Sequence, residues 1–205
     1  MGIIKVIRVM QIIVLTDEGL KEELLNNGTD SSLECLYVNS VDEMLHHPGA
    51  DGYVDLLFEF NNERINKLKS LLPKLVIVNS VIHILNELPA NFIRINAWPT
   101  FLASGLVEGA ALDSQKAKSE EILMLFHKNI SWLPDVPGFI SARVVSKIIN
   151  EAWISVDEGV SSPGEIDIAM RLGTNYPFGP LEWAEKIGVG KVRSLLERWS
   201  RISKQ

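Results

Sequence analysis

A single cysteine, Cys35, in 205 residues excludes an internal disulfide framework and fits a reducing compartment. Basic residues are too few for a phosphate-backbone partner. Twenty Lys and Arg stand against 26 Asp and Glu, a net charge of −6, so no nucleic-acid partner is expected. No apolar run reaches the roughly 18 residues of a membrane-spanning helix, so no membrane partner is expected either. There are four histidines, and they form no metal-ligand pattern; neighbours such as His46 and His47 do not face one ligand on a regular element. Repeats and low-complexity tracts are absent as well. The chain does have a hydrophobic fraction of 46%, ordinary for a globular protein and too high for a disordered one.

Residues 1–15 have the outline of a signal peptide, with Lys5 and Arg8 ahead of an apolar stretch. Asp17 and Glu18 follow where a small-residue cleavage site would stand, and Val6 breaks the myristoylation pattern after Gly2. The stretch reads instead as a buried first strand over 9–15, with residues 1–8 a ragged extension and Met10 a candidate start. The expected location is the cytoplasm.

Strand and helix patterns alternate through the first two thirds of the chain. Strands are expected at 9–15, 33–38, 53–60, 75–78, 91–95 and 105–110. Helices are expected at 17–26, from a Ser40 cap to Leu45, at 62–72 with Ile65, Leu68, Leu71 and Leu72 inward, and at 114–128. This spacing implies βαβ units and a largely parallel sheet, an α/β class. After Pro137-Gly138 the pattern becomes all-α: a long helix over 139–158 closed by Gly159, another opened by Ser162-Pro163 with Ile166, Ala169, Met170 and Leu172 as its stripe, then 181–187 and 192–202. The boundary falls near Asp135, giving segments 1–134 and 135–205.

The all-α part carries a distinctive text. Pro137-Gly138-Phe139-Ile140, Glu151-Ala152, Asp157-Glu158-Gly159-Val160, Ile166-Asp167, Ala169-Met170, Leu172-Gly173 and Tyr176-Pro177-Phe178-Gly179-Pro180-Leu181-Glu182 stand in order. This text resembles the C-terminal domain of the 3-hydroxyacyl-CoA dehydrogenase family over about residues 135–190. The resemblance implies a truncated Rossmann-like domain followed by the helical domain, which usually supplies a homodimer contact. It also implies NAD-dependent oxidation of the 3-hydroxyl of a fatty acyl-CoA in a cleft between the domains. NAD is thus a cofactor by resemblance, and an acyl-CoA-type molecule the implied ligand.

Several parts that this chemistry needs are altered. The three glycines of a G-x-G-x-x-G loop, which let backbone approach a diphosphate at a helix start, fall on Thr16, Glu18 and Lys21. Gly19 is out of register, and Asp17, Glu18, Glu22 and Glu23 bring negative charge, so the segment reads as an ordinary capped helix. The strand over 33–38 ends in Asn39 rather than the acid that holds an adenosine ribose. The resemblance implies a helical hairpin after that strand, which is missing here; in an alternative alignment residues 36–45 match the strand and helix that follow the hairpin, and the ribose-binding strand itself is deleted. Glu63 stands at the second Glu of the family's Glu-Ala-x-x-Glu, a cofactor-side position, or is simply a first-turn helix acid. The family's lysine five residues on reads Leu68.

The family's catalytic histidine falls on Asn96, in Phe92-Ile93-Arg94-Ile95-Asn96-Ala97-Trp98-Pro99. An amide can hydrogen-bond a hydroxyl but cannot accept its proton at neutral pH. Losing a general base typically costs about 10²–10⁴ in rate. The carboxylate that orients that histidine is kept as Glu108, Ser80 fits the hydroxyl-binding serine with a gap, and the active-site asparagine reads Ala142. His83, just after Ser80, is a candidate for a relocated base or a packed histidine. The expected catalytic set is therefore Glu108, Asn96 and Ser80, with Glu63 on the cofactor side and no metal. Three readings follow: a degenerate member with impaired or lost activity, an active oxidoreductase with a rebuilt site, and a dimerising interaction module.

Overall fold

The computed structural model describes residues 8–202. The segment 1–7, including most of the proposed ragged extension, lies outside the described residues. Seven strands form one sheet in the order β2-β1-β3-β4-β5-β6-β7. They are β1 (Met10–Leu15), β2 (Leu33–Val38), β3 (Gly52–Asp55), β4 (Val76–Asn79), β5 (Phe92–Ile95), β6 (Leu106–Ala110) and β7 (Asn129–Trp132). All pairings are parallel except β5 with β6. Every residue of β3, β4 and β5 is buried, as expected of strands covered on both faces.

Successive side chains point to opposite faces, so each strand feeds two cores. On one face Ile12, Val14, Val54 and Ile77 pack against Leu20 and Leu24 of α1 (Glu18–Leu25) and Ile122 and Leu123 of α4 (Asp113–Met124). On the other, Ile13, Tyr53 and Val78 meet Val41 and Met44 of α2 (Val41–Leu45) and Leu68 of α3 (Asn62–Lys69).

Four further helices follow: α5 (Ser141–Asp157), α6 (Pro163–Thr174), α7 (Pro180–Ile187) and α8 (Val189–Ile202). Ala142, Val145 and Ile149 of α5, Trp183 and Ile187 of α7 and Leu195 of α8 form a third core with Val81 and Trp98 from the sheet edge. At Gly138 the backbone has φ +83°, and an added Cβ would stand 3.0 Å from Leu195. The resemblance text has a structural purpose here too. Asp167 accepts hydrogen bonds from the amides of Leu181 and Glu182, capping α7, and an added Cβ at Gly179 would lie 2.3 Å from Asp167.

Four expectations need correction. The third strand stops at Asp55 instead of running to residue 60, because the Asp55 carboxylate accepts from the amide of Leu57 and turns the chain. Helix α3 ends at Lys69, and Leu72 is exposed rather than inward. The strand β7 was absent from the sequence reading, which continued α4 to residue 128. It pairs with β6 from a short Asn-Ile-Ser-Trp stretch too brief to show a period. Helix α6 buries none of its residues fully: Ile166 and Met170 are half-buried, while Ala169 and Leu172 of its stripe are exposed, Leu172 by 84%.

Candidate functional site

The antiparallel pairing of β5 and β6 sets Ile95 opposite Gly109 and brings Asn96 beside Glu108, where the Asn96 amide donates to the Glu108 carbonyl at 2.9 Å. Their side chains meet as well, Asn96 Nδ2 donating to Glu108 Oε2 at 3.1 Å. Ser141, the first residue of α5, closes the group. Its amide donates to Glu108 Oε1 at 3.0 Å and its hydroxyl to Oε2 at 2.6 Å, while Asn96 Nδ2 also reaches Ser141 Oγ at 3.1 Å. A carboxylate at the start of a 17-residue helix is favoured by the helix dipole. Both Glu108 oxygens are therefore occupied by protein donors. The group has no imidazole; Asn96 is buried, while Glu108 and Ser141 are half-buried.

Ser80 lies apart from this group. Its hydroxyl donates to the His83 carbonyl at 3.1 Å, and it lines a cavity of about 320 Å³ at the C-terminal edge of β3, β4 and β5. Neither Glu108 nor Asn96 lines that cavity, so the three expected catalytic residues divide between two places. His83 lines it, its ring stacked on Phe60 at 3.7 Å between centroids. The His83 Nδ1 faces Arg198 at 3.4 Å and Glu87 at 3.6 Å. The guanidinium only donates and the carboxylate only accepts, so the role of Nδ1 follows the ring tautomer: it accepts from Arg198 in one and donates to Glu87 in the other.

Burial pushes the His83 pKa below its ordinary value, with Glu87 opposing that shift and Arg198 and Arg94 adding to it; Glu59 and Lys191 share its cavity. The sign of the consequence follows. Below about pH 6.5 the unfolded chain holds more protons at this position than the folded one, so folding stability falls as the pH drops through that window. Urea unfolding midpoints measured down the acid range should show this loss, and His83→Gln should flatten it. An equal acid loss in the variant would assign the effect elsewhere.

The turns that would receive a dinucleotide are closed by the chain's own side chains. Asp17 Oδ1 accepts from the Leu20 amide at 2.8 Å at the start of α1. An added Cβ at Gly19 would meet nothing nearer than Asp17 at 3.6 Å, so this glycine serves no close backbone approach. Ser40 caps α2 and Asn61 caps α3 in the same way. With Asp17 and Glu18 at the first βα turn, the residues present do not fit a diphosphate. Glu63 is exposed and pairs with Lys67 at 3.1 Å; it lines a polar hollow with Asn39, Ser40 and Asn61, beside the end of β2. Among the described residues no group of three or more His, Cys, Asp or Glu is placed to hold a metal ion.

Two important residues escaped the sequence reading. Ser141 stands in the motif Pro137-Gly138-Phe139-Ile140-Ser141, but nothing local tells that it faces Glu108. Arg94 reads as one charge inside an apolar strand, the single available signal, and is fully buried. It donates to the carbonyls of His83 and Val136, pairs with Asp135 at 3.2 Å and lies over the Phe139 ring. Burial pulls its pKa down to about 10.

Comparison with known proteins adds a family to this geometry. Residues 138–205 match the family model described as 3-hydroxyacyl-CoA dehydrogenase, C-terminal domain. The chain is 42% identical over 85 residues to a 3-hydroxyadipyl-CoA dehydrogenase of Escherichia coli (strain K12), covering 42% of this chain and 18% of that protein. It is 35% identical over 113 residues to a 3-hydroxybutyryl-CoA dehydrogenase of Bradyrhizobium diazoefficiens, covering 53% of this chain and 39% of that one. The matched stretches thus span well under half of either relative. The fold likeness reaches further: the (S)-3-hydroxybutyryl-CoA dehydrogenase structure from Ralstonia eutropha aligns over 96% of this chain and 89% of its own, with TM-score 0.69 and 17% identity.

Proposed function

We propose that this chain, whose residues 138–205 match the 3-hydroxyacyl-CoA dehydrogenase C-terminal domain, is a member of that family in which NAD-dependent oxidation of 3-hydroxyacyl-CoA is impaired or lost. The observation that carries this reading is the state of Glu108. A carboxylate that would orient a histidine has instead Ser141 and Asn96 as partners, so its charge is satisfied without an imidazole. Asn96 supplies no base. The side-chain cap on α1 supports the same conclusion from the cofactor side.

The test is a fluorescence titration with NADH, together with NADH oxidation using acetoacetyl-CoA at high protein concentration. The expected result is neither saturable binding nor turnover. Micromolar NADH binding, or turnover that follows the purified protein, overturns the reading.

One observation favours the second reading, an oxidoreductase with a rebuilt site: His83 and Ser80 line one cavity, and among the described residues His83 Nε2 has no protein partner. Turnover lost in His83→Gln would select it. An acyl-CoA-type ligand belongs to either reading. A homodimer through the helical part is proposed on the exposed face of α6, where Ile168 and Leu172 lie open. Light scattering reports its mass, and a monomer at assay concentration would remove the proposal. A cytoplasmic location completes the reading, supported by the one unpaired cysteine; among the described residues no helix is long and apolar enough to cross a membrane.

A further inference from the structure

We propose that the cavity at the sheet edge binds a small carboxylic acid with an apolar or aromatic body, without NAD. The inference rests on the reading that nucleotide-linked chemistry has been lost, and it names what the same cleft retains. The cavity has about 320 Å³, within the size range of small-molecule sites. Its walls are aromatic and aliphatic: Phe58 and Phe60 after β3, Val81 and Ile82 after β4, and Trp98 after β5. Such walls take an apolar body. They are not mobile decoration, since Trp98 is part of the core with α5 and α7, and Phe60 is fixed by its stack on His83.

The polar groups around these walls favour an anionic head. Lys191, in the first turn of α8, lines the cavity and has no ion-pair partner among the described residues. His83 turns Nε2 to the side away from Arg198 and Glu87, which both meet Nδ1, and among the described residues Nε2 has no protein partner. The buried Ser80 hydroxyl spends its proton on the His83 carbonyl and keeps its oxygen lone pairs. The unpaired Lys191 ammonium, joined by Nε2–H in the tautomer whose Nδ1 accepts from Arg198, matches one carboxylate. Glu59 also lines the cavity without an ion-pair partner, and its charge opposes an anion there. This opposition supplies a second, opposite-signed test.

Ligand-observed NMR and calorimetry on the full chain would use hexanoate, phenylacetate and the neutral control hexanamide. Both acids should bind, and more tightly than the amide. Lys191→Met should weaken the acids by about two- to fivefold while leaving the amide unchanged, and Glu59→Gln should tighten the acids by a similar factor. Equal affinity for hexanoate and hexanamide, an unchanged acid affinity in Lys191→Met, or no binding of any probe overturns the proposal. An NADH titration on the same samples keeps the two readings apart. NADH binding alongside acid binding overturns only the loss of nucleotide chemistry, whereas acid binding that fails in a protein that also ignores NADH overturns only this inference.

Discussion

Lys128→Met should destabilise the fold by about 3 kcal/mol or more, because it strands buried acceptors rather than because it removes a charge. The Lys128 side chain is fully buried, and the three N–H groups of its ammonium are shared among four acceptors at 2.8–3.2 Å, the carbonyls of Glu23, Leu102 and Ser104 and Asn27 Oδ1. One cation thus ties α1 and the turn after it to the loop before β6 and to the start of β7. Each acceptor left unmet costs roughly 1–3 kcal/mol, which outweighs the relief of removing the ammonium from a site where burial already lowers its pKa. At this chain length the expected drop in Tm is about 6–12 °C.

There is also a pH signature. In the window between the lowered folded pKa and the ordinary lysine value, the unfolded state binds more protons, so wild-type stability rises with pH there. That rise should be missing in Lys128→Met. A variant with wild-type Tm would show that the ammonium's desolvation cancels its hydrogen bonds.

Arg94→Met is the second large effect, about 3 kcal/mol: two carbonyls lose their buried donor at roughly 1–3 kcal/mol each, and the partly exposed Asp135 loses its cation at a smaller cost. It leaves Asp135 without its cation and the carbonyls of His83 and Val136 without their donor. Arg94→Lys should recover only part of the loss, because one ammonium nitrogen cannot reach the three positions that Nη1, Nη2 and Nε of the planar guanidinium fill against His83, Val136 and Asp135. The substitution should also be felt at the cavity, since Arg94 holds the His83 backbone. NMR of the His83 ring should show a changed environment in Arg94→Met. Unaltered stability in both variants would mean that Arg94 is replaceable by apolar packing.

The sequence was most informative where structure is local. Ser40 and Asp17 sit one residue ahead of a helix and cap it, and that residue 96 carries an amide rather than an imidazole needs no coordinates to be read. It was least informative where partners lie far along the chain. Ser80 and Asn96 look like members of one catalytic set. Yet Ser80 follows β4 and faces the cavity, while Asn96 is drawn to β6 by antiparallel pairing. The apolar stripe of α6 has the period of a core-facing helix, and periodicity identifies a face without saying what covers it.

The amino-acid order by itself determined the α/β class, the all-α end, the family text and the absence of a glycine loop, because alternation, capping and turn chemistry act within a few residues. Only the tertiary structure decided that Glu108 is answered by Ser141, that Arg94 and Lys128 are buried ties between distant segments, and that His83 shares a cavity with Lys191. These pairings join residues 33, 41 and 108 positions apart, the first two from Glu108 to Ser141 and from Arg94 to Asp135 and the last within one cavity. The register of β5 on β6 and the packing of α5 and α8 on the sheet edge bring them together, and no local pattern encodes either.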